Sequence, residues 1–473
     1  MKNIIIGLFH FNTSPRLVVL KRFTVLVAIL CMMSCDDFVE VDLPHSQLTA
    51  TAVFEDEFTA TAALVDIYSK MRNEGVLSGS TAGVSLLMGN YADELDFYGN
   101  PQAAAVPFYN NSLTATNRDV KNFWDNSYKQ IYAANAIIEG VEHSSTLPQT
   151  TRDLLKGEAL FIRSLLHFYL ANLYGDLPYV KTTDYLQNKE ISRLPVTMVY
   201  LNIKNDLDTA ISLLPEAYVT PDRVRPNKFA AMALLARVNL YAGLWEEASA
   251  VATEVINQTH LYALETIENS FFINSTSTIW QFMSSVPGNN TTEASTFIFN
   301  TGPPPASALR ADLINTFESG DLRKEHWTRA VSNASGTWYH SFKYKSNSNT
   351  GSSQEYSKVF RLAEIYLIRA EARARQADLI SAKQDLNLIR SRSGLEATTA
   401  NSQEEVIKAL VLERRVELFT EFGHRFFDLK RLNLLDETLQ PIKMGWNSTD
   451  AFFPIPESEI LLNENLAPQN PGY

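Results

Sequence analysis

The stretch ALVLERRVELFTEFGHRFFDLKR, Ala409 to Arg431, restricts what this chain can fold into more than any other. Glu413, Arg414, Arg415, Glu417, Glu421, Arg425, Asp428, Lys430 and Arg431 are interleaved with Leu412, Val416, Leu418, Phe422, Phe426, Phe427 and Leu429. Glu413 and Glu417 stand at i,i+4, and Arg414 and Glu417 at i,i+3, so a helix puts them on one face. Gly423 supplies the φ > 0 that ends such a helix, and a second short helix carries Phe426, Phe427 and Leu429. A segment this aromatic does not lie wholly in water, so some of its charge is at least partly buried, and buried charge needs partners. Glu413, Arg414, Glu417, Arg425 and Asp428 therefore read as a structural ion network joining two helices of the C-terminal half.

Helical periodicity dominates elsewhere. Phe54, Phe58, Ala62, Val65 and Tyr68 form one stripe, and Tyr128, Ile131, Tyr132, Asn135, Ile138 and Val141 another. Asp153–Tyr174 is apolar on most sides, which predicts a buried helix stopped by Gly175-Asp176-Leu177-Pro178. A further helix is expected from Met198 to Leu214. Asn227–Ile256 reads as a helical hairpin broken at Gly243-Leu244-Trp245, and its run LLARVNLYAGLWEEA resembles the tetratricopeptide pattern. Arg361–Ile389 repeats the idea, too far along the chain for a solenoid with a period of about 20–50 residues. The expected fold class is all-α, a globular body containing several such helix pairs. Residues 257–357 differ, with Trp280, Trp327 and Trp338 set among Gly-, Asn-, Ser-, Thr- and Pro-rich segments. Long loops inside a compact domain are usually functional or disordered. Strand propensity there is limited to Thr278–Met283 and Thr296–Phe299, and residues 75–99 read as Gly-rich and irregular.

The net charge is −12, which argues against nucleic acid as the main partner. Cys31 and Cys35 are the only cysteines, so no disulfide framework exists beyond residue 35. Lys21-Arg22, the short apolar run Phe23 to Met33 and the small Ser34 read as an export signal, too short to span a bilayer. Met32-Met33-Ser34-Cys35 resembles a bacterial lipobox, with Cys35 as the lipidated residue. Asp36 and Asp37 then open a polar tether.

No phosphate-binding loop, dinucleotide fingerprint, nucleophile elbow or zinc-protease motif occurs. Glu421 and His424 make half of a di-iron bundle motif without a second copy, and Gly423 interrupts them, so we assign no metal and no cofactor. Loop aromatics beside polar groups remain. Tyr91, Asp93, Asp96, Phe97, Tyr98 and Asn100 form one candidate cluster, and Trp280, Trp327, Trp338 and Tyr339 another. Sugar rings stack C–H faces on Trp and Tyr while their hydroxyls need Asp, Asn or Arg.

Several runs together resemble the SusD/RagB family of Bacteroidetes nutrient-uptake lipoproteins. They are CDDFVEVDLPHSQLT, KGEALFIRSLLHFYLANLYGDLPYV, RVRPNKFAAMALLARVNLYAGLW, VFRLAEIYLIRAEARARQADLISAKQDLNLIRSRSGL, ERRVELFTEFGHRFFDLKR, FPIPESEI and QNPGY. The resemblance is weakest at residues 75–120 and 257–357. It implies a signal peptide over 1–34, a tether over 35–52, an N-terminal helical region over 53–256, a variable loop region over 257–357 and a C-terminal helical region over 358–473. It further implies a non-enzymatic lipoprotein on the outer membrane, facing outside, that captures oligosaccharides for a SusC-type TonB-dependent transporter. Peptides or other oligomers as ligand, and a secreted all-α glycosidase using an acidic pair, are the competing readings.

Overall fold

A helix with one apolar stripe must lay it against another, and the structure, a computed structural model describing residues 50–473, stacks its helices in this way. The signal segment, Cys35 and most of the tether lie outside the described residues. The longer helices are α1 (Glu57–Asn73), α2 (Val84–Tyr91), α3 (Arg118–His143), α4 (Gln149–Tyr174), α5 (Val196–Leu213), α6 (Lys228–Tyr241), α7 (Trp245–Ile256), α8 (Leu362–Arg375), α9 (Leu379–Arg392), α10 (Gln403–Leu418) and α11 (His424–Arg431). Helix α4 lies between α3 and α5 and is buried continuously from Gly157 to Tyr174, as its apolar circumference requires. In the first hairpin Ala230, Ala231, Ala233 and Ala236 are buried on α6, where small side chains let helices approach closely. Gly243 turns the chain with φ +73°, a conformation that other side chains rarely adopt. The second hairpin, α8 and α9, packs its first helix on α7, so two hairpins far apart in sequence are adjacent in space.

The loop-rich region is more ordered than its composition suggests. Among the described residues six strands form: β1 (Leu95–Phe97), β2 (Thr278–Phe282), β3 (Ser307–Leu309), β4 (Thr328–Asn333), β5 (Gly336–Ser341) and β6 (Ser357–Arg361). β2 pairs with β6, both wholly buried. The other four make an antiparallel sheet in the order β1-β3-β5-β4, with Leu95 opposite Leu309 and Leu309 opposite Tyr339. The expected strand at Thr296–Phe299 is absent. Thr291 caps the short helix Thr292–Phe297 by accepting from Ala294 N, and the local cap overrides the β-branched composition. Residues 75–99, expected to be irregular, contain helix α2.

Gly423 also has a different role from the expected one. Helix α10 stops at Leu418, and Gly423 (φ +75°) precedes α11 as its N-cap. Between them Thr420 N donates to Glu94 Oε1 at 3.2 Å and Phe422 N to Ser85 Oγ at 2.9 Å, so contacts with the N-terminal half draw the chain out of the helix early. Arg414 pairs with Asp428 at 2.7 Å and not with Glu417. Glu417 instead accepts from Arg323, Arg361 and Arg392, none of which lies on its own helix. No described helix is long and apolar enough to cross a membrane.

Candidate functional site

Burial of charge sets up the site from below. Asp93, just after α2, accepts from Arg425 Nε and Nη2, both at 2.8 Å, and pairs with Arg415 at 2.9 Å. These ions clamp the root of β1 to α10 and α11 across the molecule. The strand then obeys its period of two: Leu95 and Phe97 pack inward, while Asp96 and the following Tyr98 share the opposite face. Across the sheet Leu309 and Tyr339 face the core beneath it, so their neighbours Arg310 and Trp338 fall on the same side as Asp96 and Tyr98.

That side carries one aromatic and polar constellation. The Tyr98 and Trp338 rings meet edge to face, centroids 6.5 Å apart at 85°. Tyr98 is 44% exposed and Trp338 partly so. A Cβ on Gly302 would lie 2.2 Å from the Trp338 ring, so the indole rests on bare backbone that Asn333 Nδ2 holds by donating to Gly302 O at 2.6 Å. Asp96 accepts from Arg310 Nη1 at 2.5 Å and, more distantly, from Tyr109 OH at 3.4 Å. Arg310 Nε is buried with no hydrogen-bond partner among the described residues. Asn100 is exposed two residues beyond Tyr98. The arrangement offers two ring faces and a carboxylate–guanidinium pair, which suits a ligand with apolar C–H faces and hydroxyls.

Of the ten candidates, Asp96, Tyr98 and Trp338 come together here, with Phe97 and Tyr339 packed behind them and Asn100 exposed two residues further along. Four others are corrected. Tyr91 is fully buried, ringed by Phe108, Phe426, Trp446 and Phe453, and its hydroxyl donates to Asp450 O at 2.9 Å. Asp93 is consumed by its two arginines. Trp280 and Trp327 are fully buried, their indole N–H groups donating to Val224 O at 3.2 Å and Ile267 O at 2.8 Å. Composition marks an aromatic but not whether its strand turns it in or out. Arg310 and Asn333 were missed because only the strand pairing brings them here, and Tyr109 because it arrives from the separate short helix Val106–Tyr109, although an arginine in the apolar run SALRADL without a helical counter-ion is a usable signal. Glu421 is taken up by Arg361 and Lys343, and among the described residues no group of three His, Cys, Asp or Glu side chains could hold a metal ion.

Glu94 beside Asp93 is 1% exposed, and burial together with the Asp93 charge pushes its carboxyl up to about 7. The folded state thus holds this proton more tightly than the unfolded chain. Its contribution is fully present below the unfolded pKa, near 4.5, and is lost as pH rises through about 7. Glu94→Gln should remove this dependence. Urea titrations of both proteins at pH 5 and pH 8 should show the wild type losing roughly 2–3 kcal/mol relative to the variant; parallel curves would refute the assignment.

A SusD-like family model described as starch-binding and associating with the outer membrane matches residues 51–240, and the SusD family model matches residues 317–473. SusD-like protein P2 of Formosa agariphila is 26% identical, the match covering 96% of this chain and 99% of that one. A SusD superfamily crystal structure from Bacteroides vulgatus superposes with a TM-score of 0.75 at 23% identity, over 89% of this chain and 100% of that one. A structure titled laminarin-binding SusD-like protein gives 0.72 at 23% identity, over 88% of this chain and 100% of that one.

Proposed function

The chain belongs to the SusD/RagB family, and from that premise we propose that it is a surface lipoprotein that binds oligosaccharides at the Tyr98–Trp338 face without catalysing a reaction. In this reading it is anchored to the outer membrane through Cys35, faces outward, and hands its ligand to a SusC-type TonB-dependent transporter. The observation that carries the reading is the pair of crossed, accessible rings beside the Asp96–Arg310 ion pair. Support comes from the starch-binding description of the matching family model and from the laminarin-binding title of one neighbour.

Calorimetric titration against a panel of oligosaccharides, starting with glucans, tests it. Saturable binding of at least one is expected, without release of reducing sugar. Binding of peptides and of no saccharide would move the ligand class, and sugar release abolished by one carboxylate substitution would make the protein a glycosidase. Delivery is tested separately: the protein solubilised from its own membrane should co-purify with a large outer-membrane β-barrel, and Cys35→Ala should leave it unanchored. Recovery without a barrel partner would count against the transport role.

A further inference from the structure

A crevice of about 360 Å³ opens between two polar loops, residues 283–293 and 346–357, and shares no lining residue with the Tyr98–Trp338 face. The loops are cross-linked into a fixed frame. Asn290 Nδ2 donates to Ser348 O at 3.0 Å while Asn290 Oδ1 accepts from Gln354 N at 2.8 Å, and Thr350 N donates to Gly288 O at 2.8 Å. Glu355, 1% exposed, closes the base of the second loop by accepting from Lys345 N at 2.7 Å and Ser346 N at 3.0 Å. Low-complexity Ser/Asn sequence held this firmly is a built surface.

The charges of the crevice define what fits. Glu293 lines it at 4% exposure, accepts a hydrogen bond from Ser357 Oγ and forms no ion pair among the described residues. Burial raises its carboxyl, and Glu421 adds to this. Gly79 lies so close that a Cβ there would come within 2.3 Å of the Glu293 carboxyl. Arg72 lines the same crevice, donating to Met283 O and Asn73 Oδ1, each at 2.9 Å, with no carboxylate paired to it among the described residues. A charged ligand would meet both signs in this crevice, Arg72 on one side and Glu293 and Glu355 on the other, so attraction to one is offset by repulsion from the other while its hydration is lost. The lining favours an uncharged ligand that donates and accepts many hydrogen bonds, to Ser284, Asn289, Ser346 and Asn347 among others, above the buried Phe282 and Tyr356. A second hollow of about 800 Å³ shares Met283, Ser284, Ser285 and Tyr356 with the first, so the groove continues past one unit.

We propose that this crevice is a second saccharide site, taking the end of an uncharged oligosaccharide while the adjoining hollow takes the units that follow. The ligand class rests on the glycan reading above; the site uses none of that face's residues. The test uses the full-length protein and a Tyr98→Ala/Trp338→Ala double variant, titrated with maltotriose, laminaritriose and cellotriose by saturation-transfer NMR. The double variant should keep binding at least one trisaccharide that the wild type binds. Arg72→Ala in that background should weaken this binding about tenfold, the effect of losing one charge-assisted hydrogen bond, and Ser346→Trp should block it. A double variant that binds none of the trisaccharides bound by the wild type overturns the second site and leaves the glycan reading standing. A wild type that binds no saccharide overturns both.

Discussion

Glu417→Gln should lower the stability of the folded protein by about 3–5 kcal/mol, the cost of removing one partner from a buried ion pair. Glu417 is fully buried and accepts from Arg323, Arg361 and Arg392. Those three guanidiniums hold its carboxyl well below the usual carboxylate range against the opposing effect of burial. The loss is unequal across the three. Arg323 retains Asp321 and Glu413, and Arg361 retains Glu421, but among the described residues Arg392 has no other carboxylate and leaves two buried nitrogens unpartnered even with Glu417 present. A domain with about 5–15 kcal/mol in hand loses much of it. In urea the midpoint should fall with little change in slope, and Glu413→Gln should cost less, because Arg323 keeps Asp321 and Glu417. Equal midpoints for wild type and Glu417→Gln would show that the network contributes nothing net. The pH dependence runs opposite to that of Glu94: a lowered carboxylate contributes fully above the unfolded pKa, and the contribution fades as pH falls toward the folded value.

This network shows how far a sequence can be read. The demand for counter-ions was legible, since nine charges sit among eleven apolar residues between Ala409 and Arg431. Their identity was not. Helical spacing pointed to Arg414 for Glu417, whereas the partners come from α9, the end of β6 and the loop-rich region, distances in sequence that no local rule spans. Helix positions were legible for the same reason that the partners were not: periodicity is a local property and ion pairing here is tertiary. The hairpin of β4 and β5 was missed although Asn333-Ala334-Ser335-Gly336 is turn chemistry between short alternating runs. Without that hairpin, Trp338 and the buried Trp327 look alike on the page. Register separates them, because Trp338 stands one position from the core-facing Tyr339 and therefore faces out.

The second large effect belongs to that outward tryptophan. Trp338→Ala should weaken oligosaccharide binding by about 30-fold or more, since truncating a central aromatic contact costs about 2 kcal/mol or more. Stability should change far less than in Glu417→Gln, because the ring is only partly buried and no ion depends on it. Tyr98→Ala should act in the same direction, its ring being the other wall of the same angle. A third substitution separates ring position from ring presence. Gly302→Ala keeps both aromatics, yet its new Cβ would sit 2.2 Å from the indole, so Trp338 must shift. If the crossed geometry recognises the ligand, Gly302→Ala should lose affinity as well, with circular dichroism in the aromatic region reporting the moved ring. Full affinity in Trp338→Ala, with the protein folded, would remove this face as the binding site. Full affinity in Gly302→Ala alone would mean that the ring matters and its angle does not, leaving Asp96 and Arg310 to orient the ligand.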